Sequence, residues 1–152
     1  MLSLSVESQI DAPIERVFEL ASDFAGAPER ISGIVRMEML TDGPVGVGTR
    51  FRETRVMFKR EATEEMEVLE FDAPRRYVLG AESCGCRYRS EFTFTPQDGG
   101  TKVTMTFEGT PLTRMAKIMG FLMRPMAKVA AKEVCRDLAD LKAAAEGASA
   151  AT

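Results

Sequence analysis

Glu53, Arg55 and Glu64 are the residues whose types and spacing suit acid–base or ion-pair chemistry in this chain. Glu53 and Arg55 lie two apart in an alternating segment, so they share one face of a strand. If Lys59-Arg60 forms a two-residue turn, Met57 faces Ala62, Arg55 faces Glu64, Glu53 faces Met66 and Phe51 faces Val68, while Arg52 opposes Glu67 on the other face. Taking Arg55 and Glu64 fully out of water would cost several kcal/mol per ion, so stability alone is a poor reason for such a pair. It belongs either at a wet rim or against the polar end of a ligand. Tyr88 and Ser90 fall on the same face and add hydroxyl groups. In an enzyme this set would let Glu53 or Glu64 abstract a proton beside a carbonyl while Arg55 or Tyr88 stabilises the enolate.

Other chemistries are poorly supplied. The 152 residues contain no histidine, which removes the usual metal ligand and the usual partner of a Ser or Cys nucleophile. Cys84-Gly85-Cys86 has neither redox Cys-x-x-Cys spacing nor, with Cys135 alone to add, enough ligands for zinc, and the three thiols are expected reduced. Gly43, Gly46 and Gly48 lack the Lys-Ser/Thr of a phosphate loop and lead into a strand, which makes them a turn. No metal and no cofactor are expected. A net charge of −3 offers no footprint for nucleic acid. No apolar stretch reaches bilayer length and residues 1–10 do not read as a signal peptide, so a cytoplasmic protein is expected, as a monomer or a homodimer.

The elements that must position these groups follow from periodicity. Residues 2–10 alternate, with Leu2, Leu4, Val6 and Ile10 on one face. Asp11-Ala12-Pro13 starts a helix with stripe Ile14, Val17, Phe18 and Ala21, and a second short helix or turn falls within 23–32. From Ile34 onward, turn signals at 42–48, 59–60, 72–74, 83–86 and 97–100 divide six strands into an antiparallel meander. The hairpins place Leu79 beside Val68, Tyr88 by Ala81, Ser90 by Leu79, Phe92 by Tyr77, Phe94 by Val103 and Met105 by Phe92. One face stays apolar. The other carries Arg50, Arg52, Glu65, Glu67, Arg87, Arg89, Glu91 and Lys102 and faces water.

Thr110-Pro111 reads as a helix start, followed by Leu112, Met115, Met119, Leu122 and Met126 at helical spacing. Pro125 and Gly120 should break the helix, leaving a first part able to swing as a lid and a longer part from about Arg124 to Glu146, stopped by Gly147. This gives one domain over residues 1–147 and a frayed tail over 148–152. The methionines at 37, 39, 57, 66, 105, 115, 119 and 126 fall on the inner face or helix stripe, either as an irregular core or as an adaptable cavity wall.

The segments IDAPIERVFELASDF, LTDGPVGVGTRFRE, VLEFDAPRRYVL, FTFTPQDGGTKVTMTFE and DLADLKAAAE, spanning about residues 4–145, resemble the helix-grip superfamily. That superfamily includes START-related lipid-transfer domains, pollen-allergen-like proteins and the polyketide cyclase/dehydrase-like family. The resemblance implies an α+β fold in which a curved antiparallel sheet of about seven strands grips a long C-terminal helix around a ligand cavity, with two short helices after the first strand. It carries the fold further than the activity, because these segments are turn chemistry and core.

The expected function is binding or transport of a hydrophobic or amphipathic small molecule. Its walls would be Phe51, Met66, Leu79, Phe92, Met105, Phe107, Met115, Met119, Leu122 and Met126, with Glu53, Arg55, Glu64, Tyr88 and Ser90 at its polar end. A cyclase or dehydratase using an inward carboxylate, and a partner-binding module with an exposed apolar patch, are the alternatives.

Overall fold

The computed structural model describes residues 2–57, 59–83, 85–122 and 127–150. Seven strands, β1 (Leu2–Ile10), β2 (Ile34–Met39), β3 (Arg50–Met57), β4 (Arg60–Asp72), β5 (Arg76–Ser83), β6 (Cys86–Gln97) and β7 (Gly100–Pro111), form one antiparallel sheet. Its order is β1-β7-β6-β5-β4-β3-β2. The meander is therefore intact, and β1 closes it beside β7. Helices α1 (Ile14–Ser22) and α2 (Ala27–Arg30) carry the chain from one edge strand to the other, and α3 (Arg114–Leu122) and α4 (Ala127–Ala150) follow the sheet. This is the helix-grip architecture.

Turn chemistry explains most of the pairing. Asp98 and Gly99 both take positive φ, and the strands rejoin at Gln97 and Gly100, the arrangement that matches the twist of a tight hairpin. Val68, Tyr77, Leu79, Ala81 and Val103 meet the partners expected of them. The β3–β4 hairpin differs. Met57 opposes Arg60, Arg55 opposes Ala62, Glu53 opposes Glu64, Phe51 opposes Met66, and Arg52 opposes Glu65. The turn falls one residue earlier than Lys59-Arg60, which slides the register by two. A two-residue slip keeps every side chain on its face, so the hydrophobic alternation is blind to it.

Two helix boundaries also depart from expectation. β7 runs on through Pro111, which pairs with Cys86, and the Leu112 N–H donates to the Gly85 carbonyl at 2.7 Å. The cap of α3 is Thr113, whose hydroxyl accepts from the Ala116 N–H at 3.0 Å, and not Thr110. At the other end, α4 continues past Gly147 to Ala150. A glycine inside a run of alanines costs only about 1 kcal/mol, too little to stop a helix without a capping turn. The expected break between Gly120 and Pro125 and the start near Arg124 fall partly on residues 123–126, outside the described residues, as do Cys84 and the last two residues of the tail.

The core fills one end of the concave face. Phe18 meets Phe71, Tyr77 and Phe94 edge-on at 5.1–5.8 Å between ring centres, and Phe24 stacks on Phe51 at 4.5 Å. Leu138, Leu141 and Ala145 of α4 are buried against this cluster. Polar clamps fix α4 in place: Glu146 accepts from the Asp11 N–H at 2.8 Å, Lys142 reaches the Gln9 carbonyl at 3.0 Å, and Asp140 accepts from the Ser32 N–H and hydroxyl at 2.9 and 2.8 Å. Where β7 begins, a Cβ on Gly100 would stand 2.3 Å from the Ile10 carbonyl oxygen. Gly100→Ala is expected to destabilise the fold by about 2 kcal/mol through forced separation of β1 and β7, read as a lower midpoint in urea denaturation.

Candidate functional site

The other end of the concave face is hollow. Between β2–β7, α1–α3 and the N-terminal half of α4 lies a cavity of about 690 Å³, within the range of small-molecule sites. The sheet presents Phe51, Met66, Leu79, Phe92, Met105 and Phe107 to it, and Tyr88 and Ser90 stand among them. Tyr88 stacks against Phe107 at 5.6 Å. Met37 and Met119 add flexible apolar wall from β2 and α3. Met115 and Leu122, expected among the walls, are instead 75% and 64% exposed and do not reach the cavity. With the cap at Thr113 the buried side of α3 is centred on Ala116, which turns those two residues outward. Met126 lies outside the described residues. Of the cysteines, Cys86 lines the cavity and Cys135 is exposed.

Polar groups gather on one wall. The Arg55 guanidinium makes a two-pronged contact with Asp137 of α4, Nη1 to Oδ1 at 3.0 Å and Nη2 to Oδ2 at 2.8 Å. Glu53 lies 3.5 Å from Nη2 and Glu133 lies 3.7 Å from Nη1. Glu64 faces Glu53 across β3 and β4, so the expected Arg55–Glu64 pair is replaced by two carboxyls side by side. Sequence reasoning missed Asp137 and Glu133. The available signal was their spacing of four on α4, alternating with Val134 and Leu138 on the stripe that must face the sheet.

Charge and burial set the proton affinities. Burial pushes Glu53 above the ordinary carboxylate value, Arg55 pulls the other way, and the neighbouring Asp137 and Glu64 push it further up. Burial likewise raises Glu64 against the pull of Arg55. Asp137 is raised by burial too, offset in part by its hydrogen bonds to Arg55. For Arg55 burial favours the neutral form, but the bond to Asp137 and the field of Glu53 overcome it and hold the proton firmly. Arg30, the other cation at the cavity, is occupied by the Leu20 and Asp23 carbonyls and the Asp23 carboxylate at 2.8–3.2 Å. Glu133 Oε2 is buried without a hydrogen-bond partner among the described residues. Four carboxyl groups thus face the cavity beside two guanidinium groups that are already engaged. The wall can accept hydrogen bonds or balance a positive charge, and a protonated Glu53 or Glu64 can donate one.

Among the described residues no three such side chains converge closely enough to hold a metal ion, and no helix is long and apolar enough to cross a membrane. The family model described as polyketide cyclase / dehydrase and lipid transport matches residues 1–146. The chain belongs to this family. Among solved structures, TTHA0849 from Thermus thermophilus superposes with a TM-score of 0.80 at 26% identity, covering 97% of this chain and 99% of that one. StfQ, a di-domain ARO/CYC from the steffimycin biosynthetic pathway, is similar at TM-score 0.79 and 14% identity over 97% of this chain and 51% of that one. Ara h 8.0201 gives 0.69 at 16% identity over 96% and 98%. At those last two identities the likeness is one of fold. No curated protein matches the chain. Family and fold together support ligand binding or polyketide cyclase activity.

Two outcomes are expected of the polar wall. Asp137→Ala strands Arg55 in a partly dry site and should cost about 2 to 3 kcal/mol in urea denaturation, most of it recovered when Arg55→Met is added. Glu64→Gln tests the carboxyl. Its folded-state pKa lies above the ordinary 4.5, so the wild type's stability from this group is complete below pH 4.5 and is lost as pH rises through the folded value. The variant's stability relative to wild type should therefore grow as pH rises from 4.5 through the raised folded value and level off above it.

Proposed function

We propose that this protein binds an amphipathic small molecule whose apolar body lies against Phe51, Met66, Phe92, Met105 and Phe107, and whose polar end is uncharged or cationic. The observation that carries this reading is the composition of the polar wall. Arg55 would be the natural partner for an anionic ligand, yet its fork is taken by Asp137, with Glu53 and Glu133 close behind. A carboxylate or phosphate entering here would meet four acids around a guanidinium already forked to Asp137, in a site of low polarity, where like charges repel most strongly. An amine, a phenol or a polyol would satisfy the same groups, including the Glu133 oxygen, which has ion pairs but no hydrogen bond among the described residues. A volume near 690 Å³ suits a molecule of several fused rings or a medium-length chain. The open interior favours this reading over a partner-binding module with a filled core.

A catalytic reading rests on a separate observation. Glu53 and Glu64 are adjacent inward carboxyls with raised proton affinity, a pairing in which one can serve as base and its neighbour as acid. Glu53 would take a proton beside a carbonyl of a polyketide-like substrate and Glu64 would donate to the oxygen, the apolar walls holding the chain folded for ring closure.

A set of ligands sharing one apolar body but ending in amine, alcohol or carboxylate, competed against an apolar fluorescent dye, tests the binding reading. Amine and alcohol should displace the dye at least ten-fold more tightly than the carboxylate, about 1.4 kcal/mol. A preference for the carboxylate would overturn the head-group assignment, and failure of the dye to enter at all would overturn the cavity as a binding site. Accelerated cyclisation of a poly-β-ketone, lost in Glu53→Gln while dye binding persists, would make the protein an enzyme.

A further inference from the structure

Six of the ten large apolar side chains that stand exposed among the described residues fall in one stretch of eleven: Leu112, Met115, Ile118, Met119, Phe121 and Leu122, between 48% and 75% exposed. Ala116 is the buried residue of α3. A helix that shows water this much Met, Ile, Leu and Phe is not explained by the fold it belongs to.

The charges around it are equally uneven. Residues 109–132 hold Arg114, Lys117, Arg124, Lys128 and Lys132 and no Asp or Glu, in a chain whose net charge is −3. Across the outer face of the sheet, arginines 36, 50, 52, 76, 87 and 89 are each paired with a glutamate at 2.8–3.5 Å. By contrast Arg114, Lys117, Lys128 and Lys132 are exposed and make no ion pair among the described residues. Lys59 and Arg60 are exposed and unpaired in the same sense. They share this end of the molecule, because β3, β5 and β7 run in one direction and the β3–β4 turn lies where β7 gives way to α3. Glu61, beside the β3–β4 turn, and Glu82, at the end of β5, are neutralised by Arg36 and Arg87.

We propose that α3 and the cations around it dock on an anionic lipid surface, with the apolar side chains of α3 entering the acyl boundary and the lysines and arginines meeting the head groups. Apolar helix surface flanked by uncompensated basic charge is the composition that interfacial helices use, and neither part is strong enough alone. A second copy of the chain is the wrong occupant, because a two-fold contact through this face would bring its unpaired cations against their own counterparts. Ala116, Met119 and Gly120 of the same helix line the cavity, so docking sets the cavity against the lipid.

The test is sedimentation with vesicles of phosphatidylcholine alone and with phosphatidylglycerol added, using the whole chain without any cavity ligand. Wild type should bind the anionic vesicles only, and release as salt rises to about 0.5 M. R114Q/K117Q should weaken binding by roughly five-fold for each charge removed. M115D/I118D, at residues that do not line the cavity, should abolish it while leaving dye uptake intact. Since the chain has no tryptophan, Ile118→Trp supplies a unique probe whose emission should shift to the blue on the anionic vesicles. Absence of wild-type binding at low salt, binding indifferent to M115D/I118D, an unshifted tryptophan, or a dimer in sedimentation velocity that M115D/I118D dissolves would each overturn the proposal. Binding of an acidic protein in place of the vesicles would do the same.

Discussion

A guanidinium held between a strand and a helix organises this molecule. Arg55 projects from β3 into a space that is mostly Phe and Met, where an isolated cation would be costly, and Asp137 of α4 supplies the fork that keeps it there. The consequence runs in both directions. The contact ties the N-terminal half of α4 to the sheet, as Asp140, Lys142 and Glu146 tie the C-terminal half. It also uses up much of the positive charge that Glu53 and Glu64 would otherwise share, and burial leaves both carboxyls at the cavity with raised affinity for protons.

The hollow and the charge depend on each other. Aromatic rings close one end of the concave face, since Phe18, Phe71, Tyr77 and Phe94 interlock over α1. At the other end slimmer Met, Leu and Ser side chains and the Tyr88–Phe107 pair leave room, and the polar wall faces that room. Filling it with apolar atoms would desolvate four carboxyls further, which opposes collapse. A ligand with hydrogen-bond donors removes the conflict without closing the space by side-chain packing.

The surface is divided as sharply as the interior. The outer sheet face sets Arg against Glu across neighbouring strands, a pattern that keeps a half-exposed sheet hydrated and leaves little net field. The α3 end concentrates apolar side chains and unpaired cations instead. Charge is thus neutralised on the outer sheet face, while the cations around α3 have no ion partner among the described residues.

Much of this was legible in the residues. Alternation assigned each strand a face, the Asp98-Gly99 turn and its counterparts set strand order, and Phe51, Met66, Phe92 and Met105 were marked for the interior before any pairing was known. Thr113 shows one limit: Thr110-Pro111 is an equally good helix start in isolation, and pairing of Pro111 with Cys86 decided against it. The β3–β4 register shows another. A period of two fixes a side chain's face but not which neighbour it meets, so the sequence determined that Glu53, Arg55 and Glu64 point inward and left open whom they face. The tertiary structure decided that, because Arg55 and Asp137 are 82 residues apart and meet only when α4 lies across the sheet.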